Sequence, residues 1–164
     1  VIFPGGNWPP KVWSADNFNE IMKLLLEKYN NIKFILVGSL GEKNKFYNKL
    51  IKGIKEDLII DLFGYNLTLT SAYMQKSNIF IGNDSGLMHL AALSELPTIG
   101  LFGPSDVKKY SPIGLQTLVI KTSKSYKELM GYEGFDPKNV GSLMKGLSVS
   151  EVFSKTLKFY REVK

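Results

Sequence analysis

Asn83-Asp84-Ser85-Gly86-Leu87-Met88-His89-Leu90-Ala91-Ala92-Leu93 sets the frame for the rest of this 164-residue chain. It follows Ile79-Phe80-Ile81-Gly82, an apolar run that reads as a buried parallel strand. Leu87, Leu90, Ala91 and Leu93 then recur at helical spacing. The stretch is a strand, a tight polar turn and a helix whose first turn carries Ser85, Gly86 and the only histidine, His89. Unpaired backbone N–H groups and the positive end of the helix dipole make such a turn a ready phosphate site. Gly86 lets a ligand approach the backbone without a Cβ in the way. His89, within one turn of that end, could donate to the same anion. Asp84 falls at the carboxyl end of the strand, the edge where open α/β sheets bind ligands. The same residues also fit a plain capped helix, with Asp84 or Ser85 as N-cap and His89 merely packed. Spacing alone does not choose between the two.

Composition narrows the classes. At 164 residues and 44% hydrophobic, the chain can bury a full core as one domain. Without cysteine it has neither a disulfide framework nor a thiolate metal site, and one histidine excludes a His-rich one. No apolar run reaches the roughly 18 residues of a spanning helix, and no secretory signal pattern is present. The first residues, from Val1, are already strand-like, which points to a piece of a longer protein. The formal charge of +6 suits anionic ligands or membrane surfaces. Many lysines, however, fall around Lys43–Lys55 and Lys155–Lys164, where they read as solvated helix faces. No RNA-binding aromatic-glycine motif or zinc-finger spacing occurs, so nucleic acid is not an expected partner.

Outward from the central stretch, strands alternate with helices. Val1-Ile2-Phe3 leads into Pro4-Gly5-Gly6-Asn7-Trp8-Pro9-Pro10-Lys11, a loop rich in breakers. Ser14 precedes a helix with Phe18, Ile21, Met22, Leu25 and Leu26 on one face. Phe34–Val37 is a second strand, followed by Gly38–Glu42 and a lysine-rich helix from about Lys43 to Ile54. Leu58–Ile60 is a third strand, and a helix covers Ser71–Lys76. Pro97–Phe102 is a fifth strand, closed by Gly103-Pro104-Ser105-Asp106, and Thr117–Ile120 a sixth. From Lys121 to Lys145 the periodicity fails, and a long loop with one short helix is expected. Ser148-Val149-Ser150-Glu151 fits a capping box opening a last helix, with Val152, Phe153, Leu157 and Tyr160 toward the core. The pattern predicts parallel βαβ units in a three-layer α/β sandwich.

Three other strand-end loops hold candidates. Lys11, in the proline-rich turn between Trp8 and Trp13, could reach a phosphate, or could lay its stem on tryptophan at the surface. Glu42, just past a strand, could accept ribose hydroxyls, or could be a first-turn acid favoured by the dipole. Phe102-Gly103-Pro104-Ser105-Asp106 could line the same cleft, and is also an ordinary turn. There is no G-x-x-x-x-G-K-[ST] loop, no G-x-G-x-x-G fingerprint and no G-x-S-x-G elbow. No Asp-x-Asp pair is available to hold a divalent cation against a diphosphate.

Taken together, these motifs resemble glycosyltransferase family 9, the lipopolysaccharide heptosyltransferases, over the family's carboxyl-terminal half. Asn83–Ala91 is similar to the family's D-[ST]-G-x-x-H-x-A element. Leu101–Asp106 followed by Tyr110-Ser111-Pro112 resembles its G-P-[ST]-D loop. Pro4-Gly5-Gly6-Asn7 with Lys11 and Trp13 resembles its P-G opening with K-x-W. The resemblance covers Pro4 to Pro112 well, and the region after Lys121 only through its final helix.

The resemblance implies a Rossmann-like domain that is one half of a GT-B enzyme. Residues 1–164 would be its carboxyl-terminal nucleotide-sugar-binding domain, with the amino-terminal acceptor domain outside this chain. The implied activity is inverting transfer of heptose from ADP-heptose to the lipopolysaccharide inner core, with no metal and with this piece inactive alone. By the same resemblance, Lys11 and the Ser85-Gly86 backbone meet the diphosphate, and Gly6 and Asn7 line it. Asp84 and His89 lie near phosphates and sugar, and Glu42 holds the ribose; Lys11, Asp84 and His89 carry the catalytic share. A carboxylate beside a diphosphate is repulsive unless engaged elsewhere, so Asp84 is expected to accept from sugar hydroxyls or from backbone N–H groups of its turn. The general base, an aspartate, would sit in the other domain. The implied partners are the nucleotide sugar and a lipid-linked saccharide, in the cytoplasm, with the inner face of the inner membrane within reach. The alternatives are a GT-B transferase using another nucleotide sugar and a non-catalytic nucleotide-binding domain.

Overall fold

The computed structural model describes residues 1–164. The short apolar runs form six strands: β1 (Ile2–Phe3), β2 (Phe34–Gly38), β3 (Ile59–Phe63), β4 (Phe80–Asn83), β5 (Thr98–Phe102) and β6 (Thr117–Lys121). All neighbours run parallel, in the order β3-β2-β1-β4-β5-β6. Helices α1 (Ala15–Lys28), α2 (Leu40–Leu50), α3 (Leu67–Gln75), α4 (Gly86–Leu93), α5 (Val107–Tyr110), α6 (Tyr126–Met130) and α7 (Val149–Val163) fill the crossovers and the carboxyl-terminal segment. This is the expected three-layer Rossmann-like sandwich.

Pleating assigns alternate strand residues to two cores. Ile2, Leu36, Ile81, Ile99 and Leu101 pack with Phe18, Ile21 and Met22 of α1, Leu50 of α2 and Val152 of α7. Phe3, Val37, Phe80 and Phe102 pack on the other face with Met74 of α3 and with Met88 and Ala91 of α4. Each fully buried aliphatic or aromatic side chain stabilises the fold by roughly 1.5–3 kcal/mol, so the larger first core dominates. On the second face α4 sits close to the sheet because β5 has Gly100 beneath it. A Cβ at Gly100 would come within 2.5 Å of Met88 Sδ.

The buried face of α4 differs from the spacing expectation. Met88, Ala91 and Ala92 are buried, and Leu87 and Leu90 pack partly, while Leu93 is 75% exposed. Met88 finds the room over Gly100, and with Ala91 and Ala92 it forms an i, i+3, i+4 stripe that turns Leu93 to solvent. The last helix starts where expected, after Ser148, but without a complete capping box. Ser148 caps Glu151 N at 3.2 Å, but the Glu151 carboxylate bonds Lys155 at 2.7 Å instead of closing a box. Complete boxes stand at Ser39/Glu42 and Ser125/Glu128. Helix α3 starts earlier than its pattern, at Leu67, because Asn66 caps Leu69 N at 2.9 Å. No helix is long and apolar enough to cross a membrane.

Strand order reverses between β1 and β4, and at such a switch point the carboxyl edge opens into a crevice. The loop after β1, the β4–α4 turn and the loop after β5 all start at this edge.

Candidate functional site

Asn83 ends β4 and builds the site's floor. Its fully buried amide donates to the carbonyls of Pro4 and Gly5, each at 3.0 Å, and its oxygen accepts from Trp13 N at 3.1 Å. One side chain thus grips the β1 loop at both ends. Between those ends Pro9 and Pro10, with φ fixed by their rings, start a 3-10 turn over Pro9–Lys11. Trp13 anchors the far end, buried edge-on against Phe18 with ring centroids 5.1 Å apart. The loop so held brings Lys11 over the β4–α4 turn.

There Lys11 Nζ meets Asp84 Oδ2 at 2.7 Å, with side-chain exposures of 27% and 6%. The buried Ser105 hydroxyl, from the loop after β5, donates to the same oxygen at 2.6 Å. Asp84 is therefore engaged by a lysine and a serine, and not by the backbone of its own turn, which corrects that part of the expectation. Ser85 takes the N-cap, accepting from Met88 N at 3.3 Å. Helix geometry leaves the first N–H groups of α4, those of Gly86 and Leu87, without intrahelical partners. Gly86 is exposed, and no atom lies within 4 Å of where its Cβ would stand, so the start of α4 is open on that side. His89 is half-buried one turn along.

Lys11 also lies 5.3 Å from the Tyr110 ring centroid, and Lys109 lies 5.2 Å from the same ring. One ammonium group and an open helix start thus adjoin the buried Asp84 carboxylate, and a second ammonium shares the Tyr110 ring. The arrangement suits a ligand carrying more than one negative charge. An ammonium has three donors, and Asp84 takes one of those on Lys11.

Glu42 lies at the neighbouring corner. Its Oε1 accepts from Gly6 N at 2.9 Å, and its Oε2 accepts from Ser39 N at 2.8 Å and Ser39 Oγ at 2.9 Å. It is a capping-box acid that also ties the β2 loop to the β1 loop. A Cβ at Gly5 would run into its carboxylate, so the close approach requires glycine there. Asn7 is exposed beside Gly6. The structure brings Lys11 onto Asp84 beside the Ser85-Gly86 helix start, leaves His89 one turn along α4 with no hydrogen bond to Lys11 or Asp84, and sets Gly6, Asn7 and Glu42 on the flank. Reading the sequence missed Asn83 and Ser105 as individual site residues. The Gly-Pro-Ser-Asp motif marked the loop of the second, and the first headed the central stretch with no role assigned to it.

No three His, Cys, Asp or Glu side chains are gathered so as to hold a metal ion. An apolar hollow of about 320 Å³ lies at the opposite, amino-terminal edge of the sheet, lined by Phe34, Ile79 and Tyr160 among others. It is remote from these loops.

The model of glycosyltransferase family 9 (heptosyltransferase) matches residues 1–132. The chain belongs to that family. All three loops of the site lie inside the match, so its lysine, aspartate and helix start are parts of a family 9 domain. Lipooligosaccharide heptosyltransferase 2 of Campylobacter jejuni serotype O:2 is 28% identical over 113 residues, covering 66% of this chain and 34% of that protein. Escherichia coli ADP-heptose lps heptosyltransferase II has the same fold, with a TM-score of 0.79 at 20% identity over 98% of this chain and 46% of that one. The family 9 glycosyl transferase of Veillonella parvula gives 0.77 at 23% identity, over 98% and 45%. E. coli heptosyltransferase WaaC, solved with ADP, gives 0.76 at 18%, over 96% and 43%. The chain spans about a third of the curated relative's length and under half of each solved structure.

Proposed function

We propose that this chain is the carboxyl-terminal, donor-binding half of an inverting GT-B heptosyltransferase that uses ADP-heptose for the lipopolysaccharide inner core without a metal ion. The observation that carries this reading is the convergence of Lys11, Asp84, Ser105 and the open start of α4 at the switch point. Support for the donor comes from the WaaC structures, solved with ADP and with ADP-2-deoxy-2-fluoro heptose.

The chemistry follows from the charges. When the acceptor hydroxyl attacks the anomeric carbon and gives its proton to the base, the bond from that carbon to the phosphate oxygen breaks and the diphosphate leaves with growing negative charge. The N–H groups of Gly86 and Leu87, aligned with the α4 dipole, meet that charge without reorganising. Lys11 turns its free donors to the same oxygens, and Asp84 and Tyr110 hold its ammonium in place meanwhile. Asp84 is compensated by Lys11 and Ser105, which removes the objection to a carboxylate beside a diphosphate. His89, one turn along α4, adds a donor as charge develops. Gly6 and Asn7 line the phosphates, and Glu42, with lone pairs to spare, holds the ribose. The amino-terminal half supplies the base and the lipid-linked acceptor, at the cytoplasmic face of the inner membrane, and this half alone is inactive.

Titrating the chain with ADP in EDTA tests this. ADP should bind, weakly because half a cleft covers half a ligand. It should bind more tightly than UDP or GDP, and Lys11→Met should weaken it about tenfold, as for a charge-assisted hydrogen bond. Binding that appears only with magnesium, or that ignores Lys11→Met, overturns the reading.

A further inference from the structure

The segment from Pro137 to Leu147 runs back across the carboxyl edge to the loop that carries Lys11. It lies beyond the residues that the family model matches, which end at 132. Ser142 Oγ donates to the Val12 carbonyl at 2.7 Å, and Leu143 N donates to the Pro10 carbonyl at 3.0 Å. These two carbonyls flank Lys11 on either side. Farther out, Trp8 Nε1 donates to Pro137 O and Trp13 Nε1 to Leu147 O, both at 2.9 Å. Ser142 is itself fixed, since its hydroxyl accepts from Met144 N at 3.2 Å. The buried Met144 packs on Gly103, where a Cβ would come within 2.5 Å of its sulfur. Gly103 opens the loop that delivers Ser105 to Asp84.

The Lys11 loop needs such a support for a physical reason. Pro9 and Pro10 have no N–H, so the loop cannot pair through those positions, and its carbonyls must find donors elsewhere. The segment supplies donors to both carbonyls beside Lys11 and packs against the loop carrying Ser105. One element therefore fixes the two loops whose side chains share Asp84 Oδ2.

We infer that this strap sets the position of Lys11 toward a diphosphate and that Ser142 is its principal positioning residue. The inference rests on the proposed role of Lys11. Ser142→Ala should weaken ADP binding about three- to tenfold, the range of one net hydrogen bond, and leave adenosine binding unchanged. Ser142→Thr, which keeps the hydroxyl, should restore ADP binding. In a Lys11→Met background, Ser142→Ala should have no further effect on ADP, because the coupling runs through the lysine. Trp8→Phe, which removes the loop's bond to the Pro137 end of the strap, should give a smaller loss in the same direction, and it carries the test should Ser142→Ala fail to fold. An equal loss for ADP and adenosine, or a loss that persists in the Lys11→Met background, overturns the inference. So does unchanged ADP binding in Ser142→Ala when Lys11→Met alone weakens it. If Lys11→Met leaves ADP binding intact, the proposed function itself fails.

Discussion

The turn from β4 into α4 and the segment from Lys121 to Leu147 reach the same site by different physics. The turn is local. Asp84, Ser85 and Gly86 take their places from the end of a fully buried strand and the first turn of a helix, all within a few residues. The segment is held from afar. Its bonds to Val12 and Pro10, and those that it takes from Trp8 and Trp13, join residues about 130 apart in the chain. Local geometry sets which groups the turn contributes, and long-range bonds to main-chain carbonyls set where Lys11 stands.

Breaking the local side should cost most. Met88 fills the space over Gly100, so Met88→Ala should destabilise the chain by about 2–5 kcal/mol in urea unfolding. Leu93→Ala, on the exposed end of the same helix, should stay within about 0.5 kcal/mol. Equal losses at the two positions would mean that α4 does not dock through its Met88 face.

The ion pair comes next. Asp84→Ala strands Lys11, and removing one partner of a buried pair costs about 3–5 kcal/mol. Lys11 is part exposed, so the expected loss is nearer about 2 kcal/mol. Ser105→Ala should cost less, because the lysine still neutralises the carboxylate. If Ser105→Ala costs more than Asp84→Ala, the serine and not the lysine holds Asp84 in place.

How much of this was legible in the sequence follows the same divide. The parallel sheet, the helix start at Ser85-Gly86 and the convergence of Lys11 on Asp84's turn could be anticipated, because strand–turn–helix grammar and the family motifs are local. The face of α4 was misjudged by Leu93, since only the tertiary gap over Gly100 decides between Met88 and Leu93. The role of Asn83 stayed unseen because its partners are main-chain atoms of Pro4, Gly5 and Trp13, which carry no sequence signal. The same holds for Ser142, whose partner is the Val12 carbonyl. Glu42 was visible as an acid, but its double duty toward Ser39 and Gly6 needed the two loops side by side.

A smaller effect separates stability from binding within the turn itself. Gly86 is the first residue of α4 and nothing occupies the space of its missing Cβ. Gly86→Ala should leave stability unchanged or raise it, by up to about 1 kcal/mol, since alanine is the better helix former. It should nevertheless weaken ADP, because a methyl group then stands where the ligand approaches. A gain in stability with unaltered ADP affinity would move the anion away from the start of α4.

The smallest expected effect lies in α6, inside the long-range segment. There the Ser125 hydroxyl and backbone N–H both donate to Glu128, at 2.6 and 2.8 Å, and hold its carboxyl below the usual range. A carboxyl with a depressed folded pKa adds stability that is complete above its ordinary value and is lost as pH falls through the folded one. Protonating Glu128 should therefore loosen α6 at acid pH while the sheet stays intact, since this short exposed helix buries little. The check is amide exchange across that range, normalised for its intrinsic pH dependence, with Ile81 and Leu101 as core references. Protection in Tyr126–Met130 should fall first, and Ser125→Ala should move the Glu128 titration back up toward the ordinary carboxylate value. Loss of protection in the strands at the same pH would show that α6 unfolds with the core. The segment after Lys121 would then be as deeply built into the fold as the turn it serves.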